Sequence, residues 1–205
     1  MDTSVHLAFF MTRPLRKDAA ERREALLKAA AEAFACDGLD TPLHLIAERA
    51  GVGRATLYRN FADRSELALA VFVGQIDDLG RRTHERLDDP EVFLWFLAQM
   101  VELMIQSAGL SSAIRDLRDE ALAPIRAGLK QAGAEALAVS QAAGRVRPDL
   151  TVEDIRVLAL MLGAPSRTAP ADDRDALSRR ALALVLDAVR PQAGQGTSPQ
   201  DEDRP

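Results

Sequence analysis

Between Thr41 and Phe61 the chain reads TPLHLIAERAGVGRATLYRNF, and this stretch restricts the fold more than any other. Leu43, Ile46, Ala47 and Ala50 stand at i, i+3, i+4 and i+7, one apolar stripe of a short helix. Thr41 and Pro42 precede it: a hydroxyl able to accept from first-turn N–H groups, and a ring whose missing N–H costs nothing at a helix start. Gly51 takes a positive φ without a Cβ clash, so the chain reverses there and Val52 drops into the angle. A second helix begins near Arg54. Leu57 and Phe61, four apart, face inward and leave Arg54, Ala55, Thr56, Arg59 and Asn60 on other faces. Two helices joined by a glycine turn, with arginine outside on the second, are expected to fit the DNA major groove, where a guanidinium pairs with guanine O6 and N7.

The run ALLKAAAEAFACDG, followed by IAERAGVGRATLYRNFADRSEL, resembles the DNA-binding domain of the TetR/AcrR family of bacterial transcriptional regulators. The match follows in order Leu26, Ala30, Phe34 and Gly38, then Ile46-Ala47, Ala50-Gly51-Val52, Thr56-Leu57-Tyr58, Phe61 and Leu67. It departs in two places. The connection from Gly38 to Ile46 is one residue shorter than the common pattern, and Gly53 stands where serine is more usual, which removes a hydroxyl from the helix start. The resemblance implies a dimeric, ligand-responsive regulator, most often a repressor, that binds a palindromic operator with one helix-turn-helix per subunit. For DNA contact it implies Arg54 and Arg59 at base edges or nearby phosphate, with Thr41, Thr56, Tyr58, Asn60 and Arg64 on the phosphate backbone. Ala55 shares the outer face, and His44, beside the turn, is phosphate-facing or solvated.

A formal charge of −5 is unusual for a DNA binder until it is divided along the chain. Arg13 through Arg64 carry 10 Lys/Arg against 8 Asp/Glu, and the remainder carries 16 against 23. Phosphate attraction therefore belongs to the N-terminal part, and the acidic remainder is expected to face away from the duplex. The single cysteine, Cys36, sits among Ala33, Phe34 and Ala35 and reads as a small buried hydrophobe, which fits a reducing cytoplasm. No stretch reaches the roughly 18 consecutive apolar residues of a membrane helix. VHLAFFM near the N-terminus is short and follows Asp2 rather than a basic run, so a secretory signal is not expected; Met11 reads as an alternative start.

Taken in order, residues 1–11 are expected to form a mobile extension, 12–63 a DNA-binding domain, 64–190 a regulatory ligand-binding and dimerisation domain, and 191–205 a disordered tail. Arg13, Arg16 and Lys17 form a basic arm that reaches DNA or stays solvated. The first helix runs from about Ala19 to Asp37 and stops at Gly38. Asp63 and Glu66 pair as a cap for a long helix towards Leu87. Asp89-Pro90 opens a helix to about Ser107, with Trp95 off its stripe; Leu110–Ala121 reads as a weaker helix; Pro124 opens another that Gly144 closes. Thr151 and Asp154 pair before a helix over 152–162 that is apolar almost all round and so is expected to be covered on several sides. A loop over 163–172 leads to a final helix over 173–189. With no period-two alternation, the fold class is all-α, about nine helices: a three-helix DNA-binding domain, then helices for ligand binding and dimerisation.

His6, His44 and His84 lie far apart without metal-ligand spacing, no glycine-rich phosphate loop precedes a Lys-Ser/Thr pair, and Ser and Cys lack His/Asp partners. Neither a metal, a cofactor nor an enzymatic activity is expected. Phe72, Ile76, Phe93, Phe96, Met100, Met104 and Met161 line either a ligand cavity or plain core. The partners expected are double-stranded operator DNA, a second copy through the eighth and ninth helices (about 152–162 and 173–189), and an apolar small-molecule effector, with no membrane. The alternative is a helix-turn-helix protein that uses DNA as a platform, organising the nucleoid or recruiting a partner.

Overall fold

A computed structural model describes residues 4–107 and 120–191. Among the described residues there are eight α-helices and no strand: α1 (Ser4–Cys36), α2 (Leu43–Arg49), α3 (Arg54–Asn60), α4 (Arg64–His84), α5 (Val92–Gln106), α6 (Ala123–Ala142), α7 (Asp154–Thr168) and α8 (Ala171–Val189). The all-α class holds. The ninth helix, expected over Leu110–Ala121, falls on residues 108–119, outside the described residues, as does the tail from residue 192. The side chains of Arg13, Arg16 and Lys17 also lie outside the described set. α1 begins at Ser4 rather than near Ala19: the run from Ser4 to Asp18 contains no glycine to end a helix, and the helix continues across Pro14.

Two compact units can be distinguished. The first takes in the chain to Asp78 and Glu102–Ala127; the second takes in Leu79–Val101 and the chain from Gly128 onward. In the first, Leu26, Ala30, Ala33 and Phe34 of α1, Ile46 and Ala47 of α2, Leu57, Phe61, and Leu67, Ala68 and Val71 of α4 form one buried cluster. Each large apolar side chain shut from water there contributes about 1.5–3 kcal/mol. That burial holds α2 and α3, because helices of seven residues are marginal alone. Cys36 is exposed, contrary to the expectation of a buried thiol. It lies two residues past Phe34, and a helix turns by about 200° over two residues, which carries Cys36 off the core face.

In the second unit, Val92, Phe93, Phe96, Leu97 and Met100 of α5 are buried, with Ala136 and Leu137 of α6 and Ile155, Leu158 and Leu162 of α7. Phe93 and Phe96 stack with centroids 6.2 Å apart. Trp95, off that stripe as expected, lies under two guanidinium groups, those of Arg82 at 5.3 Å and Arg86 at 4.8 Å. α6 ends as its glycine dictates: Gly144 at φ +66 lets its N–H reach Gln141 O at 2.9 Å while Arg145 N–H reaches Ser140 O at 2.8 Å. The following loop is held by Gln141 Nε2, which donates to the carbonyls of Arg147 and Leu150, and by Arg147 N–H, which donates to Val189 O.

α7 corrects the sequence reading at its C-terminal end. It continues through Pro165 to Thr168, so the expected loop over 163–172 shrinks to the residues between α7 and α8. Its last turn closes beyond the proline, since Ala169 N–H donates to Pro165 O and Thr168 Oγ1 donates to Ala164 O, both at 3.0 Å. Within one protomer the helix buries Ile155, Leu158 and Leu162, while Val157, Leu160 and Met161 are each more than half exposed.

Candidate nucleic-acid interface

The turn between α2 and α3 is built from backbone bonds that one glycine makes available. Gly51 adopts φ +66; its N–H donates to Glu48 O and the Val52 N–H to Ala47 O, both at 3.0 Å. These bonds satisfy the last carbonyls of α2 and drop half-buried Val52 against the core. α3 starts at Gly53, whose carbonyl accepts from Thr56 N–H at 2.9 Å and Leu57 N–H at 3.2 Å, with no side-chain cap. Glycine in place of serine there costs only a few tenths of a kcal/mol. Leu57 and Phe61 anchor the inner face, and the Arg23 guanidinium of α1 lies 5.2 Å from the Phe61 ring centroid.

This anchoring decides which side chains face outward. His44, Arg54, Ala55, Tyr58 and Arg59 are exposed, Tyr58 by 56%. Arg59 Nη2 donates to Thr56 Oγ1 at 3.0 Å, and Asn60 Nδ2 donates to Thr56 O at 2.8 Å; Thr56 and Asn60 are half-buried. Thr41 departs furthest from its expected roles. It is 5% exposed, and its hydroxyl donates backward to Gly38 O at 2.8 Å instead of accepting from the first turn of α2. The start of α2 belongs to Pro42, whose carbonyl accepts from Leu45 N–H at 2.9 Å. Arg64 also turns inward. Its Nη1 donates to Leu39 O and to Thr41 O, the latter at 2.5 Å.

The expected cap of α4 is present. Asp63 Oδ1 accepts from Glu66 N–H at 2.8 Å, and Glu66 Oε2 accepts from Ala62 N–H at 2.6 Å. Leu45 was not singled out by the sequence; it stands beside His44, exposed by 37%, and with Glu48 and Arg49 lines a shallow depression of about 330 Å³. The signal was its place one step off the Leu43–Ile46–Ala47 stripe.

The residues considered for a ligand cavity differ in burial. Ile76, Phe93, Phe96 and Met100 are buried, and Phe72 and Met104 half-buried. Phe72, Ile76 and Met104 belong to the first unit, and Phe93, Phe96 and Met100 to the second. Met161 does not join the buried group: it is 55% exposed on α7 beside Leu160.

Fold and geometry define an all-helical helix-turn-helix protein with an exposed, arginine-bearing second helix. A sequence profile described as bacterial regulatory proteins, tetR family, matches residues 26–71, and one described as transcriptional regulator SbtR-like, C-terminal domain, matches residues 89–191. The TetR-family regulator of Mycobacterium vanbaalenii shares 32% identity, with a TM-score of 0.62 over 87% of this chain and 100% of that one. For the TetR regulator SCO0520 of Streptomyces coelicolor the identity is 28% and the TM-score 0.60, over 83% and 99% of the two chains. An HTH-type transcriptional regulator of Staphylococcus aureus is 30% identical over 93 residues, 42% of this chain; the chain spans about half the length of the curated relatives it matches. The chain belongs to the TetR family of bacterial transcriptional regulators, helix-turn-helix proteins that bind DNA and are not enzymes.

Proposed function

We propose that this regulator is a repressor that binds a palindromic operator as a homodimer, presents one α3 per protomer to successive major-groove faces, and lets go when an apolar small molecule binds. The observation that carries DNA reading is the arrangement of α3: Leu57 is pinned in the core while Arg54, Tyr58 and Arg59 stand in solvent. Arg54, which opens α3, has no partner among the described residues and is offered to base edges. The N-terminal segment carries the positive balance that phosphate requires.

Dimerisation is assigned to α7 and α8. Val157, Leu160 and Met161 follow i, i+3, i+4 spacing on α7, and Leu177 and Leu184 lie i, i+7 on α8; all five are exposed. A second copy of the same pair would cover them as a four-helix junction, the self-complementary contact a two-fold axis requires. The effector is proposed to be apolar because Phe93, Phe96 and Met100 supply an uncharged interior. It must prefer the state whose reading heads do not match the groove spacing, or it shifts nothing. No helix among the described residues is long and apolar enough to cross a membrane, and a DNA reader works where the DNA is, so the cytoplasm is its proposed compartment.

Genome-wide mapping of bound sites tests the reading. A few palindromic sites at promoters support it, and many scattered sites without promoters would replace it with an architectural role. DNA binding unmoved by a broad panel of hydrophobic compounds would remove the effector.

A further inference from the structure

We propose that Arg64 is a clasp for the helix-turn-helix, a positioning residue rather than a phosphate anchor. The proposal rests on the DNA-binding reading above but concerns a different kind of contact. Arg64 is the first residue of α4 and directly follows the segment that leaves α3, whereas Leu39 and Thr41 lie in the connection that enters α2. Its Nη1 donates to both of their carbonyls, so one side chain ties the chain leaving the motif to the chain entering it. The sequence separations are 25 and 23 residues, and everything between them is the reading unit itself.

Three features make the clasp specific. Among the described residues no backbone N–H reaches Leu39 O or Thr41 O, so the guanidinium satisfies carbonyls that the turn leaves open. The connection is already shaped to present them: Gly38 sits at φ +80, and Thr41 donates to Gly38 O through both its hydroxyl and its N–H. At the other end, the Asp63–Glu66 cap holds the first turn of α4, so the base of the Arg64 side chain is fixed. A charged donor shared by two carbonyls at a half-buried site is stronger than a neutral one. Closing the two ends of the motif restricts how α2 and α3 move as a pair, and DNA affinity then depends on Arg64 through pre-organisation.

The two roles separate on the salt axis. A phosphate contact releases a counterion, so its loss flattens the plot of log K against log salt by about 0.9. A clasp releases none. The probe is a duplex selected by the wild-type protein from a random-sequence pool, with active fractions measured by stoichiometric titration of full-length protein. Arg64→Ala and Arg64→Lys are each expected to lose about tenfold in affinity with the salt slope unchanged, because lysine keeps the charge but carries its nitrogen one bond nearer the backbone, short of the position from which Nη1 serves both carbonyls. Lysine that binds like wild type, alanine that flattens the slope, or unchanged affinity in both variants would overturn the clasp. Amide hydrogen exchange on the free proteins gives a readout that needs no DNA. Exchange at Thr41 is expected to accelerate in both variants while α5 to α8 stay as protected as in wild type; unchanged exchange at Thr41 also overturns the proposal. Failure of the wild type to select any duplex, by contrast, sinks the DNA-binding reading and leaves the exchange test to decide the clasp.

Discussion

The Arg59 guanidinium donates to the Thr56 hydroxyl at 3.0 Å, one turn back on the same helix, whereas Arg54 at the start of α3 has no partner among the described residues. The two arginines therefore differ in what they have to give up before they meet DNA. Replacing Arg54 by Ala is expected to cost about 1–3 kcal/mol on the preferred site and to relax base preference at one position. Thr56→Val removes the acceptor that holds Arg59 and is expected to change affinity less than Arg54→Ala does. Binding to a randomised-site library measures both, and an Arg54→Ala protein with unchanged preference would take Arg54 out of readout.

A Cβ on Gly133 would lie 2.9 Å from Ile155 Cδ1 and 3.1 Å from Phe96 Cε1, and both neighbours are buried with little room to yield. Gly133→Ala is therefore expected to destabilise the protein by about 1–3 kcal/mol despite alanine's better helix propensity. Gly74 in α4 is the contrast, because its Cβ would meet nothing within 4 Å. Gly74→Ala is expected to stabilise by about 0.5–1 kcal/mol. Urea unfolding of the two variants reads both signs.

Leu160 and Leu184 are each 54% exposed, so glutamate at either position leaves the protomer core intact. On the dimer proposed through α7 and α8, Leu160→Glu and Leu184→Glu place like charges across the two-fold junction. Sedimentation at micromolar concentration is expected to give a dimer for wild type and monomers for the variants, with unfolding changed by no more than about 0.5 kcal/mol measured on monomer. A wild type that sediments as a monomer, with and without DNA, removes this assignment.

Asp154 accepts from the Thr151 N–H and hydroxyl, both at 2.8 Å, and these bonds hold its carboxyl below the usual carboxylate range, the backbone donor contributing most. Asp154 is half-buried, and both donors belong to Thr151, so the effect is a local one at the α7 start. A group whose folded pKa is depressed adds stability above its unfolded pKa and loses it as pH falls through the folded one. Asp154→Asn, which keeps an acceptor oxygen without the charge, is expected to be less stable than wild type at pH 7, with the gap closing as pH falls below the ordinary aspartate pKa of about 3.9. Parallel urea titrations from neutral to acid pH check this; a gap that stays constant with pH denies the carboxylate its role.

What could be read from sequence was whatever depends on near neighbours. The reversals at Gly51 and Gly144 and the Asp63–Glu66 and Thr151–Asp154 caps involve groups within five residues of one another, so residue type and spacing are enough to specify them. The buried stripe of Leu26, Ile46, Leu57 and Phe61 followed from periodicity in the same way. Tertiary structure alone decided what each outward position meets. Thr41 has the chemistry of a cap, but the Gly38 carbonyl claims its hydroxyl. Arg64 has the charge of a phosphate contact, but it turns back across 25 and 23 residues to Leu39 and Thr41, and no local pattern encodes that return. Met161 has the apolarity of a core residue and lies exposed with Leu160, because burial depends on which helices cover a face and not on the residue's own hydrophobicity.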